Sequence, residues 1–178
     1  ALSVSAPERK ICIVTDTNVA PLYAAQVKEA LSSAFAQVEV FEFPAGEENK
    51  TLANIQTLYA FLIEHHFDRK DMLAALGGGV VGDMTGFAAA TYLRGIETYN
   101  AGRVQEVRRR EGDFYAELLT ARVYEREPDS SCLVTVGFGD GGDADYIDCS
   151  CPAFREQDGA CRHIVAALVH KYYADMAA

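Results

Sequence analysis

The chain has 178 residues, a formal net charge of −10 and a hydrophobic share of 49%. That length holds one ordinary domain or two small ones. The acidic balance argues against a nonspecific nucleic-acid binder, which needs clustered Lys and Arg. No stretch approaches the ~18 consecutive apolar residues of a membrane span. Ala1 to Lys10 lacks the charged start and apolar core of a secretory signal. The expected setting is therefore cytoplasmic, with no membrane association. There, five cysteines read as thiols or metal ligands before disulfides.

Ile11-Cys12-Ile13-Val14 predicts a short strand that ends at the turn-forming cluster Thr15-Asp16-Thr17-Asn18. Pro21 opens a helix over 22–35, with Leu22, Tyr23, Val27, Ala30, Leu31 and Ala34 at helical spacing. Residues 38–43 alternate apolar and acidic and predict a second strand, closed by Pro44-Ala45-Gly46. A helix over 52–66 carries Leu52, Ile55, Leu58, Tyr59 and Leu62 on one face, and Met72 to Leu76 reads as a short buried strand. Strands alternating with helices imply a parallel sheet with helices on its faces, a Rossmann-like α/β fragment.

Gly77-Gly78-Gly79 follows the third strand, and an apolar helix is expected over 80–93. Gly77, Gly79 and Gly82 fit G-x-G-x-x-G in the strand–loop–helix context that gives the pattern meaning. Backbone N–H groups at such a helix start carry partial positive charge and can hold a pyrophosphate. The usual acidic residue ~20 positions downstream is missing. Asp16, at the end of an earlier strand of the same sheet, is the candidate for a ribose hydroxyl. The alternative is that the glycines only make a tight turn and Asp16 only caps the first helix.

Three stretches carry a resemblance: Thr15 to Val19, Pro44 to Lys50, and above all Ala75 to Ile96. Through them residues 10–96 resemble the N-terminal part of 3-dehydroquinate synthase, the shikimate-pathway lyase that cyclises a phosphorylated keto acid with NAD and a divalent metal. The resemblance implies that Asp16, Asn18, Glu47 and Lys50 contact the adenosine side of NAD. It places Gly78, Gly79 and Asp83 at the pyrophosphate and nicotinamide, and Arg94 at the substrate phosphate. The family's pattern stops after Arg94-Gly95-Ile96. The glutamate and two histidines that hold its catalytic metal have no counterpart, and His65 and His66 read as a helix-end pair. No catalytic residue is therefore assigned, NAD affinity is expected to be weak or vestigial, and the sheet is expected to have an uncovered edge.

From Glu97 the texture changes. Strands are expected over 102–110, 114–122, 132–138 and 146–149, separated by Glu111-Gly112-Asp113, by a turn over 126–130 and by a glycine-rich loop over 139–143. Arg108-Arg109-Arg110 reads as a solvated strand end, and Asp140, Asp143, Asp145 and Asp148 read as a solvated loop without calcium spacing. Cys12 and Cys132 read as buried core thiols. A meander of this size has a thin core and gains from a metal staple.

Cys149-x-Cys151, nine residues, then Cys161-x-His163 at the start of a helix to Met176 supplies that staple. Three thiolates and one imidazole make a closed tetrahedral set, which suits structural zinc. With Tyr99-x-x-Gly102-Arg103-Val104, Cys149 to Pro152 and Cys161 to Leu168, residues 99–178 resemble the SWIM zinc-finger module. The resemblance implies a protein or nucleic-acid partner and no reaction.

Two domains are thus expected, 1–96 and 97–178: the α/β fragment, then a small α+β zinc-stapled module of antiparallel strands and a C-terminal helix. Three readings of function stay open. One is a fusion of an NAD-binding synthase fragment with an interaction module. Another is a synthase whose missing domain comes from another chain. The third is an artificial join with no single function.

Overall fold

The computed structural model describes residues 6–125, 130–142, 144–157 and 161–177. The expected turn over 126–130 and Asp143 fall wholly or partly outside them. Two compact units, 1–89 and 90–178, divide the chain.

The first unit is a three-stranded parallel sheet in the order β2-β1-β3, from β1 (Ala6–Asp16), β2 (Phe35–Phe43) and β3 (Met72–Leu76). Ile11 to Thr15 are all buried, as a central parallel strand covered on both faces requires. On one face Ile11, Ile13 and Val38 cluster with Val27 and Leu31 of α1 (Ala20–Leu31). On the other, Phe41 meets Phe61 of α2 (Leu52–Glu64), with ring centroids 5.4 Å apart. Thr51 starts α2 by accepting the Asn54 N–H at 3.3 Å, the usual hydroxyl cap for an orphan helical donor. Lys10 Nζ closes its other end, donating to the carbonyls of His65 and His66 at 2.7 and 2.8 Å. His65 and His66 are therefore helix-end residues, as expected.

Two expectations about this unit need correction. The helical spacing puts Leu22 and Tyr23 on the apolar face of α1, yet both are exposed. The helix starts at Ala20, and Ala20 and Ala24 are buried instead, while Val27 and Leu31 pack inward as expected. Met72 to Leu76 was expected to be buried, but Met72 and Ala75 are exposed. β3 pairs only with β1, so it is an edge strand, and the uncovered edge is real among the described residues.

Helix α3 runs from Gly79 to Asn100, past the expected end at Leu93, and the division between the units falls inside it. The second unit takes the last turns of α3, an antiparallel sheet in the order β4-β5-β6-β7, and two further helices. Its strands are β4 (Val104–Arg110), β5 (Glu117–Tyr124), β6 (Ser131–Phe138) and β7 (Ala144–Cys149). β5 starts three residues later than expected, and Phe114, assigned to it, is exposed.

Helix α4 (Pro152–Gln157) was not expected, and α5 (Arg162–Met176) follows it. Ile164, Ala166 and Ala167 of α5 join Leu119, Ala121, Val123, Val134 and Val136 in one core on one face of the sheet. At the rim of that face, Arg109 pairs with Glu117 and with Asp175, and Lys171 Nζ reaches Asp175 at 2.6 Å. On the opposite face Tyr115 lies over Gly137, where any Cβ would strike its ring, and stacks on Tyr146 at 5.8 Å.

Candidate functional site

The metal-ligating candidates converge. Cys149 ends β7, and Cys151 directly precedes α4, where its Sγ accepts the Phe154 N–H at 3.3 Å. Cys161 is the extended N-cap residue of α5, and His163 lies in that helix's first turn. All four side chains are buried. Each offers a donor atom within 4.8 Å of the other three. His163 Nδ1 is 3.8 Å from Cys149 Sγ and 3.6 Å from Cys161 Sγ. In a tetrahedral zinc site, Zn–S of about 2.3 Å and Zn–N of about 2.0 Å put neighbouring S and N about 3.5 Å apart. The cluster is thus already at near-ligating spacing, and its donor set fits zinc.

The electrostatics pull the thiols of the cluster in opposite directions. A hydrogen bond with Cys149 pulls the Cys161 thiol down, against burial, and His163 adds to the effect. The same contact and burial push Cys149 up. Burial pushes Cys151 up as well. A bound cation would draw these protons off, since thiolates rather than thiols are ligands.

Two residues without a ligand role in the sequence motif also reach this cluster. Glu125, directly after β5, sets Oε1 2.8 Å from His163 Nε2, and its other oxygen pairs with Arg162. The hydrogen bond with Arg162 holds the Glu125 carboxyl below its ordinary value, against burial. Cys132 is buried as expected, but its sulfur also lies within 4.8 Å of the Glu125 and His163 donor atoms. Neither position has motif spacing to the other ligands, so neither was legible as part of the site.

The nucleotide candidates gather at the carboxyl edge of the parallel sheet. Thr15 pairs with Leu76 and Asp16 with Phe43 in register, so Asp16, the loop after β2 and the glycine loop leave the sheet at one edge. Thr15 Oγ1 ties to Leu76 O at 2.8 Å, and Thr17 Oγ1 accepts the Ala45 N–H at 3.0 Å. Asp16 Oδ1 accepts the N–H groups of Asn18 and Val19 at 2.9 and 3.0 Å, which closes the turn before α1; the N-cap of that helix, Val19, has no side-chain cap. Lys50 Nζ donates to Asp83 Oδ2 at 2.8 Å and lies 3.6 Å from Glu47. That hydrogen bond and the two carboxylate charges raise the Lys50 pKa.

The glycines have separate jobs. A Cβ on Gly77 would strike the Val81 side chain, whereas one on Gly78 or Gly79 would meet nothing within 4 Å. Gly77 makes room for the Val81 side chain; Gly78 and Gly79 leave open space at the start of α3. Asn18 is exposed. Arg94 lies on the part of α3 that belongs to the second unit. The structure therefore gathers Asp16, Glu47, Lys50, Gly78, Gly79 and Asp83 within one unit and leaves Arg94 outside it.

Residues 40–103 match the 3-dehydroquinate synthase N-terminal family, and residues 132–172 match the SWIM zinc finger family. The 3-dehydroquinate synthase of Latilactobacillus sakei is 56% identical over 88 residues, covering 49% of this chain and 25% of that protein. That of Streptococcus pneumoniae is 53% identical over 88 residues, with the same shares. The chain thus spans about a quarter of the length of these curated relatives. A crystal structure of 2-deoxy-scyllo-inosose synthase complexed with carbaglucose-6-phosphate, NAD+ and Co2+ aligns at 26% identity and TM-score 0.44. That alignment covers 47% of this chain and 22% of the other.

Proposed function

We propose that this chain works as a zinc-stapled protein-docking module joined to a fragment of a synthase nucleotide fold. The observation that carries the reading is the buried Cys149, Cys151, Cys161 and His163 cluster at near-ligating spacing. Its closed donor set gives zinc a structural role, holding β7, α4 and α5 together. A protein partner is favoured over nucleic acid by the net charge of −10 and by the sheet face away from α5. That face exposes Leu133 and Tyr146, with Tyr115 stacked beside the latter.

In the first unit, Asp16, Asn18, Glu47, Lys50, Gly78, Gly79 and Asp83 would hold NAD, weakly. Support comes from their position along one sheet edge and from the open space at Gly78 and Gly79. When bound, NAD supplies hydride transfer; the chain's own residues supply backbone N–H groups at the α3 start and the Lys50 charge, which Asp83 now neutralises. Arg94 as a substrate-phosphate contact rests on the resemblance alone.

This chain by itself should not turn over the synthase substrate. Incubation with the phosphorylated keto acid, NAD and cobalt or zinc should yield no dehydroquinate, and titration with duplex DNA at low salt should show no salt-dependent binding. Product formed by the wild type and lost in Asp83→Ala would overturn the inactive assignment. DNA binding with a steep salt dependence would overturn the choice of a protein partner.

A further inference from the structure

The ring of His163 faces two ways. Nδ1 points at the sulfurs of Cys149 and Cys161, and Nε2 points at Glu125 Oε1, 2.8 Å away. We propose that Glu125 is a positioning residue for the metal centre. It accepts the Nε2–H of His163, fixing the tautomer that leaves the Nδ1 lone pair free for zinc. The inference rests on the zinc reading above.

Two neighbours compete for Nε2. Arg162 Nε lies 3.3 Å from it and would donate to it, which demands the opposite tautomer. The contact with Glu125 is shorter and charge-assisted, whereas a guanidinium donating to a ring nitrogen at 3.3 Å lies beyond the usual N–H···acceptor range of about 2.7–3.2 Å. The carboxylate wins, and Arg162 has a better acceptor in the second oxygen of Glu125. Arg162 therefore clamps the carboxylate rather than the ring. The chain also anchors Glu125 at its backbone, where its N–H donates to Ser130 O at 2.8 Å.

The arrangement is that of a ligand histidine held by a carboxylate, whose loss typically costs 10–100-fold in metal affinity. It also explains why a buried histidine (3% exposed) on α5 sits beside an acidic residue brought in from the end of β5. The sequence distance is 38 residues, so only the fold supplies this partner.

The test uses the full chain loaded with zinc. Zinc affinity is read by competition with a chromophoric chelator. The protonation of His163 is read by long-range 1H–15N NMR, and Co2+ spectra serve as a check on the S3N set. In the wild type, His163 should bind through Nδ1 and keep a slowly exchanging Nε2 proton. Glu125→Gln keeps an acceptor oxygen and should weaken zinc about tenfold. Glu125→Ala should weaken it about 100-fold and expose the Nε2 proton to fast exchange. Arg162→Ala should leave the tautomer unchanged and weaken zinc less than Glu125→Ala.

Glu125→Gln covers the case in which Glu125→Ala fails to fold. Zinc affinity within twofold of wild type in Glu125→Gln and Glu125→Ala, with the same ring signature, overturns the proposal while leaving the zinc reading intact. Coordination through Nε2 in the wild type overturns it as well. A wild type that binds no zinc overturns both.

Discussion

Gly95 tests whether the end of the synthase-like stretch has become part of the zinc module's core. It lies on the second-unit portion of α3, facing α5. A Cβ there would fall on the Cγ1 and Cβ atoms of Val165, and would stand 3.2 Å from the backbone nitrogen of Ala166. Replacing Gly95 by Ala brings two opposed effects. Removing glycine from a helix interior stabilises by about 1 kcal/mol. Overpacking a filled core costs typically 1–3 kcal/mol. Here the upper end applies, because Val165 is fully buried and its Cβ is fixed to the α5 backbone, so no rotamer change relieves the clash. The net expectation is a loss of about 2 kcal/mol. For a unit of this size that is roughly 8–16 °C in Tm. The assay is thermal melting of the zinc-loaded chain together with amide exchange at Ile164 to Val169. Gly95→Ala should lower the melting of the second unit and raise exchange along α5 first. Unchanged or increased protection there would refute the packing argument.

Three further outcomes are expected. Chelation, or Cys161→Ser, should unfold the second unit, because structural zinc supplies about 10–16 kcal/mol in small zinc peptides, more than such a unit's net stability; unchanged circular dichroism and melting after metal removal would contradict this. Gly79→Val should fold normally, since a Cβ there meets nothing within 4 Å, and should lose the weak NAD response expected by calorimetry or NMR; equal responses from both proteins would mean that no nucleotide site survives. Arg109→Gln should destabilise by up to about 1 kcal/mol at pH 7, the scale of exposed ion pairs. Burial raises the Glu117 and Asp175 pKa values, but hydrogen bonds from Arg109 and Lys171 outweigh it and depress both. The stabilisation is therefore present above the ordinary carboxylate range of about 4 and lost as pH falls through the depressed values. The gap between variant and wild type in urea melts should close in acid; a pH-independent gap would contradict the assignment.

Local pattern was a sufficient guide where the element carries its own signal. The β-rich run at Ile11 to Val14 became the buried central strand, and the Cys-x-Cys and Cys-x-His pairs met because each straddles the start of a helix or the end of a strand. It failed where a distant neighbour decides. Met72 to Leu76 looks like a buried strand, but burial needs a strand on its far side, and β3 pairs only with β1 among the described residues. The helix expected over 80–93 runs on to Asn100, because Gly95 lets α5 approach and Tyr92, Ile96 and Thr98 are buried. Glu125 has no motif spacing to His163, so a charged residue after a strand gave no hint of a ligand's partner.

The central claim is that the second unit is built around a metal. Native mass spectrometry of the full chain, purified without added metal and then titrated with zinc and NAD, tests it most directly. One tightly held zinc per chain is expected, lost in each of Cys149→Ser and His163→Ala, with NAD adducts only at millimolar concentration. A folded chain that takes up no zinc, or that holds zinc equally well without Cys149 and His163, would contradict it.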